Sequence, residues 1–247
     1  MSFNDEGFLS EDANGLRNEV MESNKDLFSS YKKQNQKLHE LKFKITIKNR
    51  DSQDVIIAGF FISLLNSISS IYYLCSYGLV DDAKRIIRSF TETFIKLRYA
   101  ALSDSSADQI IKQDLIKRKK WVNVIRSNEL GAFTDELVTQ IKEIDLDSIK
   151  KEIEDENVTP LPDVEEMAKK TDSHDIYSYL FRIFSGSTHT GVKEISKFFN
   201  FDENHDISEL IWYPKTDEII EEVNILMRTM ISLMEGLATD LSSHYKV

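Results

Sequence analysis

The chain has 247 residues and a formal net charge of −11, with only 3 prolines and 8 glycines. This length allows one large domain or two small ones, with a core that needs no disulfide or metal. Few turn-forming residues and scarce period-2 alternation predict an all-α protein with long helices. The negative charge argues against broad, non-specific nucleic-acid binding. The single cysteine, Cys75, excludes an intrachain disulfide and a cysteine-based zinc cluster.

The N-terminal segment MSFNDEGFLSEDANG is acidic and polar, unlike a secretory signal, so we expect a cytoplasmic protein. Residues 1–10 are predicted to be disordered. Residues 11–43 are predicted to form one polar helix. Asp51, Ser52 and Asp54 then offer N-caps for the next helix. The apolar stripe of the first helix consists of Leu16, Val20, Leu27, Tyr31, Leu38 and Leu41.

Residues 54–78 are predicted to form a strongly apolar helix. No charged residue occurs from Val55 to Val80, which is long enough to span a bilayer. A membrane anchor is one interpretation and a central core helix is the other. The core helix is favoured because Asn66 and several serines make a lone span too polar, and because the amphipathic helices around it need a surface on which to pack.

A second apolar helix is predicted over residues 80–103, opened by the acidic residues Asp81 and Asp82. Gly78 is expected to end the preceding helix, so the two helices form a tight hairpin at the centre of the fold. The buried stripe of the second helix consists of Ala83, Ile87, Phe90, Phe94, Leu97 and Ala101.

The remaining elements complete a single α-helical domain over residues 1–247. Helices are predicted at 106–127, 133–156, 173–200 and 216–243, and the segment 200–206 is predicted to be a loop. Residues 128–170 are highly charged and are expected to form a helical insertion or arm. The apolar stripe of the last helix consists of Ile219, Ile220, Val223, Leu226, Met230, Leu233, Met234 and Leu237.

Arg182 and His189 are the candidate catalytic residues. They lie in YSYLFRIFSGSTHTG, residues 177–191, and are seven positions apart. In an α-helix this spacing places both side chains within about 20° of each other and about 10 Å apart along the axis. Tyr179 and Ser185 share that face. A guanidinium beside an imidazole that titrates near neutrality is suited to phosphodiester chemistry. The alternative is structural, with Arg182 in an ion pair and His189 at a helix end.

Arg88 and Glu92 form a second constellation, because their spacing of four residues places them in contact on one helix. A buried Glu92 that faced Arg182 would hold the guanidinium through two parallel hydrogen bonds. No histidine has a second histidine or a Glu-x-x-His partner at helical spacing, and the sequence has no phosphate-binding glycine loop. We therefore expect neither a metal ion nor a cofactor.

Two segments, AKRIIRSFTETFIKLRYA (residues 83–100) and YSYLFRIFSGSTH (residues 177–189), resemble an uncharacterised family of bacterial helical proteins. The second segment also resembles the Arg-x4–6-His motif of the HEPN (higher eukaryotes and prokaryotes nucleotide-binding) superfamily. This resemblance implies an α-helical bundle, a homodimer with a shared cleft, and metal-independent ribonuclease activity in toxin–antitoxin or phage-defence systems.

By the same resemblance, Arg182 stabilises the scissile phosphate and His189 is the general acid or base. Glu92 then supports Arg182, and both Arg182 and His189 face the two-fold axis. The implied substrate is a single-stranded RNA such as a tRNA loop, and an antitoxin or regulatory protein is a possible partner. The alternative function is a catalytically silent binding module of the same fold.

Overall fold

The protein is an all-α multi-helix bundle with one small hairpin of strands, as the composition predicts. The computed structural model describes residues 3–48, 51–127, 146–155, 160–181, 198–210 and 215–247, with positions 131, 134–136, 139 and 184 between them. Its α-helices are α1 (Phe3–Glu6), α2 (Asp12–Ser23), α3 (Lys25–Lys44), α4 (Ser52–Ser76), α5 (Val80–Leu102), α6 (Asp104–Ser127), α7 (Leu146–Asp155), α8 (Val164–Lys170), α9 (His174–Ile176) and α10 (Thr216–Tyr245). A 3₁₀ turn occupies Gly7–Leu9, and a π-helix occupies Tyr177–Phe181.

The predicted apolar hairpin is confirmed as the pair α4 and α5, which pack along their lengths. The Asp51 side chain caps α4 by accepting a hydrogen bond from the Asp54 amide at 3.1 Å. Gly78 ends α4 with a φ of +71°, and the following amide of Leu79 donates to the Leu74 carbonyl. A Cβ at Gly78 would lie only 2.9 Å from Cγ2 of Ile219, so the close packing against α10 also leaves no room for a side chain at this position.

Helix α10 closes the core by packing against α3 and α5, and nine of its side chains are buried. Its predicted apolar stripe is confirmed, with Ile220 partly buried and the other members fully buried. Ion pairs join α10 to α5 at two levels. Lys84 contacts Glu222 at 2.8 Å, and Arg98 contacts Asp240 at 2.6 Å.

Helix α4 is the one helix in the described part of the chain that is long and apolar enough to cross a membrane. One of its faces lies in the core through Ile57, Leu64, Ile68 and Ile71, none of which is accessible to solvent. Helices α3, α5, α6 and α10 pack around that face. This burial agrees with the interpretation of the segment as a core helix.

The single helix predicted over residues 11–43 is wrong, because the chain breaks at Asn24 between α2 and α3. The Asn24 amide group donates to the carbonyls of Val20 and Ile220, both at 3.3 Å. The helix is therefore interrupted at a buried asparagine whose side chain bonds to α10. Residues 3–9, predicted to be disordered, form α1 and the 3₁₀ turn, where Phe3 packs partly against the core.

The C-terminal part of the predicted insertion, residues 160–170, belongs to the bundle instead of projecting as an arm. The Asp163 side chain caps α8, and Met167 and Ala168 are buried against Ile95 and Tyr99 of α5. Helix α7 packs on α6 and buries Ile149. Most of residues 128–145 and 156–159 lie outside the described residues.

The predicted loop over residues 200–206 is a turn between two antiparallel strands, β1 (Phe199–Phe201) and β2 (Ile207–Leu210). The Asp202 carboxylate closes the turn by accepting from the amides of Asn204 at 2.8 Å and Asp206 at 3.0 Å. His205 adopts a φ of +64° there. The prediction missed the strands because they are only three and four residues long.

Candidate functional site

One face of α5 carries Arg88 and Glu92, which the sequence analysis associates with the Arg-His motif. At about 100° per residue, Arg88, Glu92, Ile95 and Tyr99 lie within roughly 60° of one another. We call this the Glu92 face. The residues of α5 that face the main core, such as Ile87 and Phe94, lie roughly 120° around the helix from the centre of the Glu92 face. The two sides of α5 therefore contact different parts of the molecule.

The segment that leads into the motif packs on the Glu92 face. Ile95 and Tyr99 form a buried cluster with Met167 and Ala168 of α8, and Tyr177 packs against it. Helix α8 and the π-helix both contact α5. The chain that approaches Arg182 thus meets α5 at Ile95 and Tyr99, which share one side of the helix with Arg88 and Glu92.

Glu92 pairs with a residue on its own helix. Its Oε1 lies 2.5 Å from Nζ of Lys96, and the carboxylate side chain is 39% exposed. The prediction placed Glu92 in contact with Arg88, which is half-buried one turn earlier. Glu92 is therefore a partly accessible carboxylate.

Arg98 fixes the start of the motif segment. Its Nε donates to Asp240 of α10 at 2.6 Å, and its Nη1 donates to the Ser173 hydroxyl at 2.9 Å. The guanidinium also lies 4.5 Å from the centre of the Phe94 ring. Ser173 is fully buried and immediately precedes α9. One side chain thus sets where the segment 174–181 begins relative to α5 and α10.

The π-helix Tyr177–Phe181 occupies the start of the motif segment, which was predicted to be α-helical. A π-helix has more residues per turn than an α-helix, so α-helical spacing does not apply to Tyr179. Tyr179 is 57% exposed, whereas Leu180 and Phe184 are buried in the main core. Short π-helical segments occur frequently at functional sites. Arg182, Ser185 and His189 lie outside the described residues.

A second group of polar residues lines a cavity of about 560 Å³ between α4, α5, the end of α8 and α10. Nε2 of His244 lies 3.5 Å from Oδ1 of Asp54, and the Oδ2 atom of the same carboxylate accepts from the Lys48 amide at 3.2 Å. The Tyr245 hydroxyl donates to the Asp54 carbonyl at 3.3 Å. Burial, with the nearby charges of Asp54 and Asp51, raises the pKa of Tyr245 to about 12.

The sequence did not predict this cluster, because Asp54 and His244 are 190 positions apart. Each basic side chain in the lining already has an acidic neighbour: Arg98 contacts Asp240, Lys170 contacts Glu166, and His244 contacts Asp54. The cluster therefore joins helices and offers no unpaired cation to a phosphate. Among the described residues, no three histidine, cysteine or acidic side chains lie close enough to hold a metal ion.

The profile of one protein family, described as a family of unknown function (DUF5677), matches residues 54–206, more than half of the chain. The matched region begins at α4 and includes α5, the π-helix and the Arg-His motif. No curated protein and no solved structure matches the chain.

Proposed function

We propose that this chain, which belongs to the DUF5677 family, is a HEPN-like, metal-independent endoribonuclease of the cytoplasm. The observation that carries the proposal is the path of the chain into the motif. A π-helix packed on the Glu92 face of α5 leads directly to Arg182. The start of the second segment, residues 177–181, therefore lies beside the first segment, residues 83–100, with which it shares the resemblance to one helical family.

The proposed chemistry needs one cation and one group that transfers protons. Arg182 contacts the non-bridging oxygens of the scissile phosphate and stabilises the charge that develops on them. His189 removes the proton from the ribose 2′-hydroxyl or delivers one to the leaving 5′ oxygen. The 2′ oxygen bonds to phosphorus as the bond from phosphorus to the 5′ oxygen breaks.

The charge of the protein restricts the substrate class. A chain with a net charge of −11 repels long duplexes, so its target is a short single-stranded region such as a tRNA loop. Glu92 is the supporting residue that orients Arg182, and Arg88, Tyr179 and Ser185 line the approach. An antitoxin or regulatory protein holds such an effector inactive until stress or phage infection.

RNA cleavage in EDTA tests this proposal. Purified wild-type protein is expected to cut total cellular RNA or a tRNA pool, and His189→Ala is expected to lower the rate by about 10²- to 10⁴-fold. Arg182→Ala is expected to lower it by about 10²- to 10³-fold. His205→Asn is the matched control, because asparagine tolerates the positive φ of that exposed turn.

The fold of each variant is checked by circular dichroism before its rate is compared. Equal cleavage by wild type and His189→Ala would assign the activity to a contaminant or to a different site. Loss of cleavage in His205→Asn as well would remove the case for His189.

A catalytically silent binding module is the second candidate, and the Glu92–Lys96 ion pair favours it. A carboxylate that already has a lysine partner is less available to orient a catalytic guanidinium. This candidate predicts RNA binding without cleavage, measured by fluorescence anisotropy with a labelled tRNA loop. It also predicts that Arg182→Ala lowers the free energy of unfolding by roughly 3–5 kcal/mol, because a buried acid would lose its partner.

A further inference from the structure

The solvent-exposed side of α4 carries no charged residue. At about 1.5 Å per residue it extends for roughly 27 Å, and its side chains lie on one stripe of the helix. We call this stripe the α4 face. It consists of the exposed residues Val55, Gly59, Ile62, Ser63, Asn66, Ser69, Ser70 and Tyr73. An uncharged surface of this length is unusual on a chain in which 30% of residues are charged.

Two of the three serines of the α4 face already donate hydrogen bonds within the helix. Ser69 donates to the Leu65 carbonyl at 3.2 Å, and Ser70 donates to the Asn66 carbonyl at 3.1 Å. Buried hydroxyls destabilise an interface when they lack a partner. Because these hydroxyls keep their intrahelical acceptors, another helix can cover them without leaving an orphan donor.

We infer that the α4 face is where two copies of this chain pair, with their α4 helices antiparallel about a two-fold axis. Two copies that each carry a charge of −11 repel each other, so they associate best through a surface without charges. A partner with a charged surface would instead require charged groups of the opposite sign on this face. The α4 face is uncharged and can therefore complement itself, as a two-fold interface requires.

The order of side chains along the α4 face fits this antiparallel pairing. With the axis near the middle of the stripe, Gly59 lies opposite Ser69, and Ile62 lies opposite Asn66. The small side chains of Gly59 and Ser69 let the helix axes approach to about 8 Å there. Val55 then lies opposite Tyr73 at each end, where the larger side chains close the interface.

The α4 face points away from the core, because the opposite side of α4 is buried. The α4 dimer differs from the shared cleft implied by the HEPN resemblance, because its contact is made by α4 and not by the segment that carries Arg182 and His189. The inference does not depend on ribonuclease activity.

Single-cysteine cross-linking locates the interface. Cys75 is fully buried and burial raises its thiol pKa to about 12, so an introduced surface cysteine is the reactive thiol. Ile62→Cys is expected to give a covalent dimer with a short bis-maleimide. Ile225→Cys on α10 is the matched control, because Ile62 and Ile225 are 45% and 48% exposed. It is expected to remain monomeric on a denaturing gel.

Tyr179→Cys reports on the competing arrangement, because Tyr179 lies in the π-helix beside the motif. Efficient cross-linking at position 179 with none at position 62 would overturn the inference and support a shared cleft. Cross-linking at position 62 alone would support the α4 dimer, whether or not the protein cleaves RNA.

Sedimentation equilibrium measures the strength of the association. One helix pair is at the low end of stable interface areas, so we expect a dimer that dissociates in the micromolar range. Ile62→Glu places two like charges near the axis and is expected to raise the dissociation constant at least tenfold. Ile225→Glu is expected to leave it unchanged.

Two results would contradict the α4 dimer in these experiments. One is a wild-type protein that stays monomeric throughout the micromolar range. The other is flotation of wild-type protein, but not Ile62→Glu, with phosphatidylcholine–phosphatidylglycerol vesicles, which would assign the α4 face to a lipid surface. The exposed Asn66 and serines disfavour that second outcome, because hydrocarbon offers them no hydrogen-bond partner.

Discussion

At the scale of single residues, Arg98 joins three parts of the bundle through one guanidinium. Its partners are Asp240 on α10 and Ser173 before α9, and Arg98 itself lies on α5. The Arg98 and Asp240 side chains are 21% and 30% exposed, so water screens their contact only in part. Charge-assisted hydrogen bonds of this kind are stronger than neutral ones.

Asp240→Asn is expected to lower the free energy of unfolding by about 1–2 kcal/mol, because it removes the charge that pairs with Arg98. The matched control is Asp82→Asn, which breaks an exposed contact with Arg85 and is expected to change stability by less than about 1 kcal/mol. Urea unfolding followed by circular dichroism measures both. An equal effect of the two substitutions would show that Arg98 is no more important than a surface charge.

Residues whose partners are nearby in sequence were predicted correctly, and those with distant partners were not. The cap at Asp51, one of three options that the sequence offered, and the helix end at Gly78 follow from local rules about side-chain caps and positive φ. Asn24 and His244 did not stand out, because the atoms that explain them belong to Ile220 and Asp54. Their roles depend on tertiary contacts that no local pattern records.

At the scale of elements, the turn between α4 and α5 determines whether the central hairpin forms. Gly78→Ala is expected to lower the free energy of unfolding by about 2 kcal/mol, because a Cβ at this positive φ is strained and lies 2.9 Å from Ile219. Gly15→Ala in α2 is the matched control, since nothing lies within 4 Å of its added Cβ. It is expected to raise stability by about 0.5–1 kcal/mol. Thermal unfolding distinguishes these opposite signs, and a neutral Gly78→Ala would contradict the geometry of the turn.

The long amphipathic helices were the most predictable elements, because apolar residues at helical spacing have one energetically favourable arrangement. Helices α5 and α10 begin and end within about two residues of their predicted bounds. The π-helix was not predicted, since its side chains have no distinctive spacing in a five-residue segment. Because of the π-helix, α-helical spacing does not place Tyr179 and Arg182 on one face.

At the scale of the whole molecule, the buried thiol and phenols predict how stability depends on pH. Burial raises the pKa of Cys75 from 9.0 to about 12 and raises the pKa of Tyr31 well above 10.0. Above pH 9 the unfolded chain loses these protons while the folded chain keeps them. The free energy of unfolding is therefore expected to fall as the pH rises through this range, by about 1.4 kcal/mol per unit for each such group.

Chemical unfolding at a series of pH values from neutral to above 9 measures this slope. Cys75→Ala is expected to be less stable than the wild type at neutral pH, because it leaves a cavity, but its alkaline slope is expected to be shallower. Identical slopes would show that Cys75 ionises equally well in the folded protein.

The position of α10 late in the sequence also determines when the core can close during synthesis. Nine core side chains belong to this helix, and it packs against α2, α3 and α5 from the first half of the chain. During synthesis those early helices emerge from the ribosome with their apolar faces uncovered. The bundle therefore cannot complete its core until residues 216–245 have left the exit tunnel, so we expect the final packing of the early helices to wait for α10.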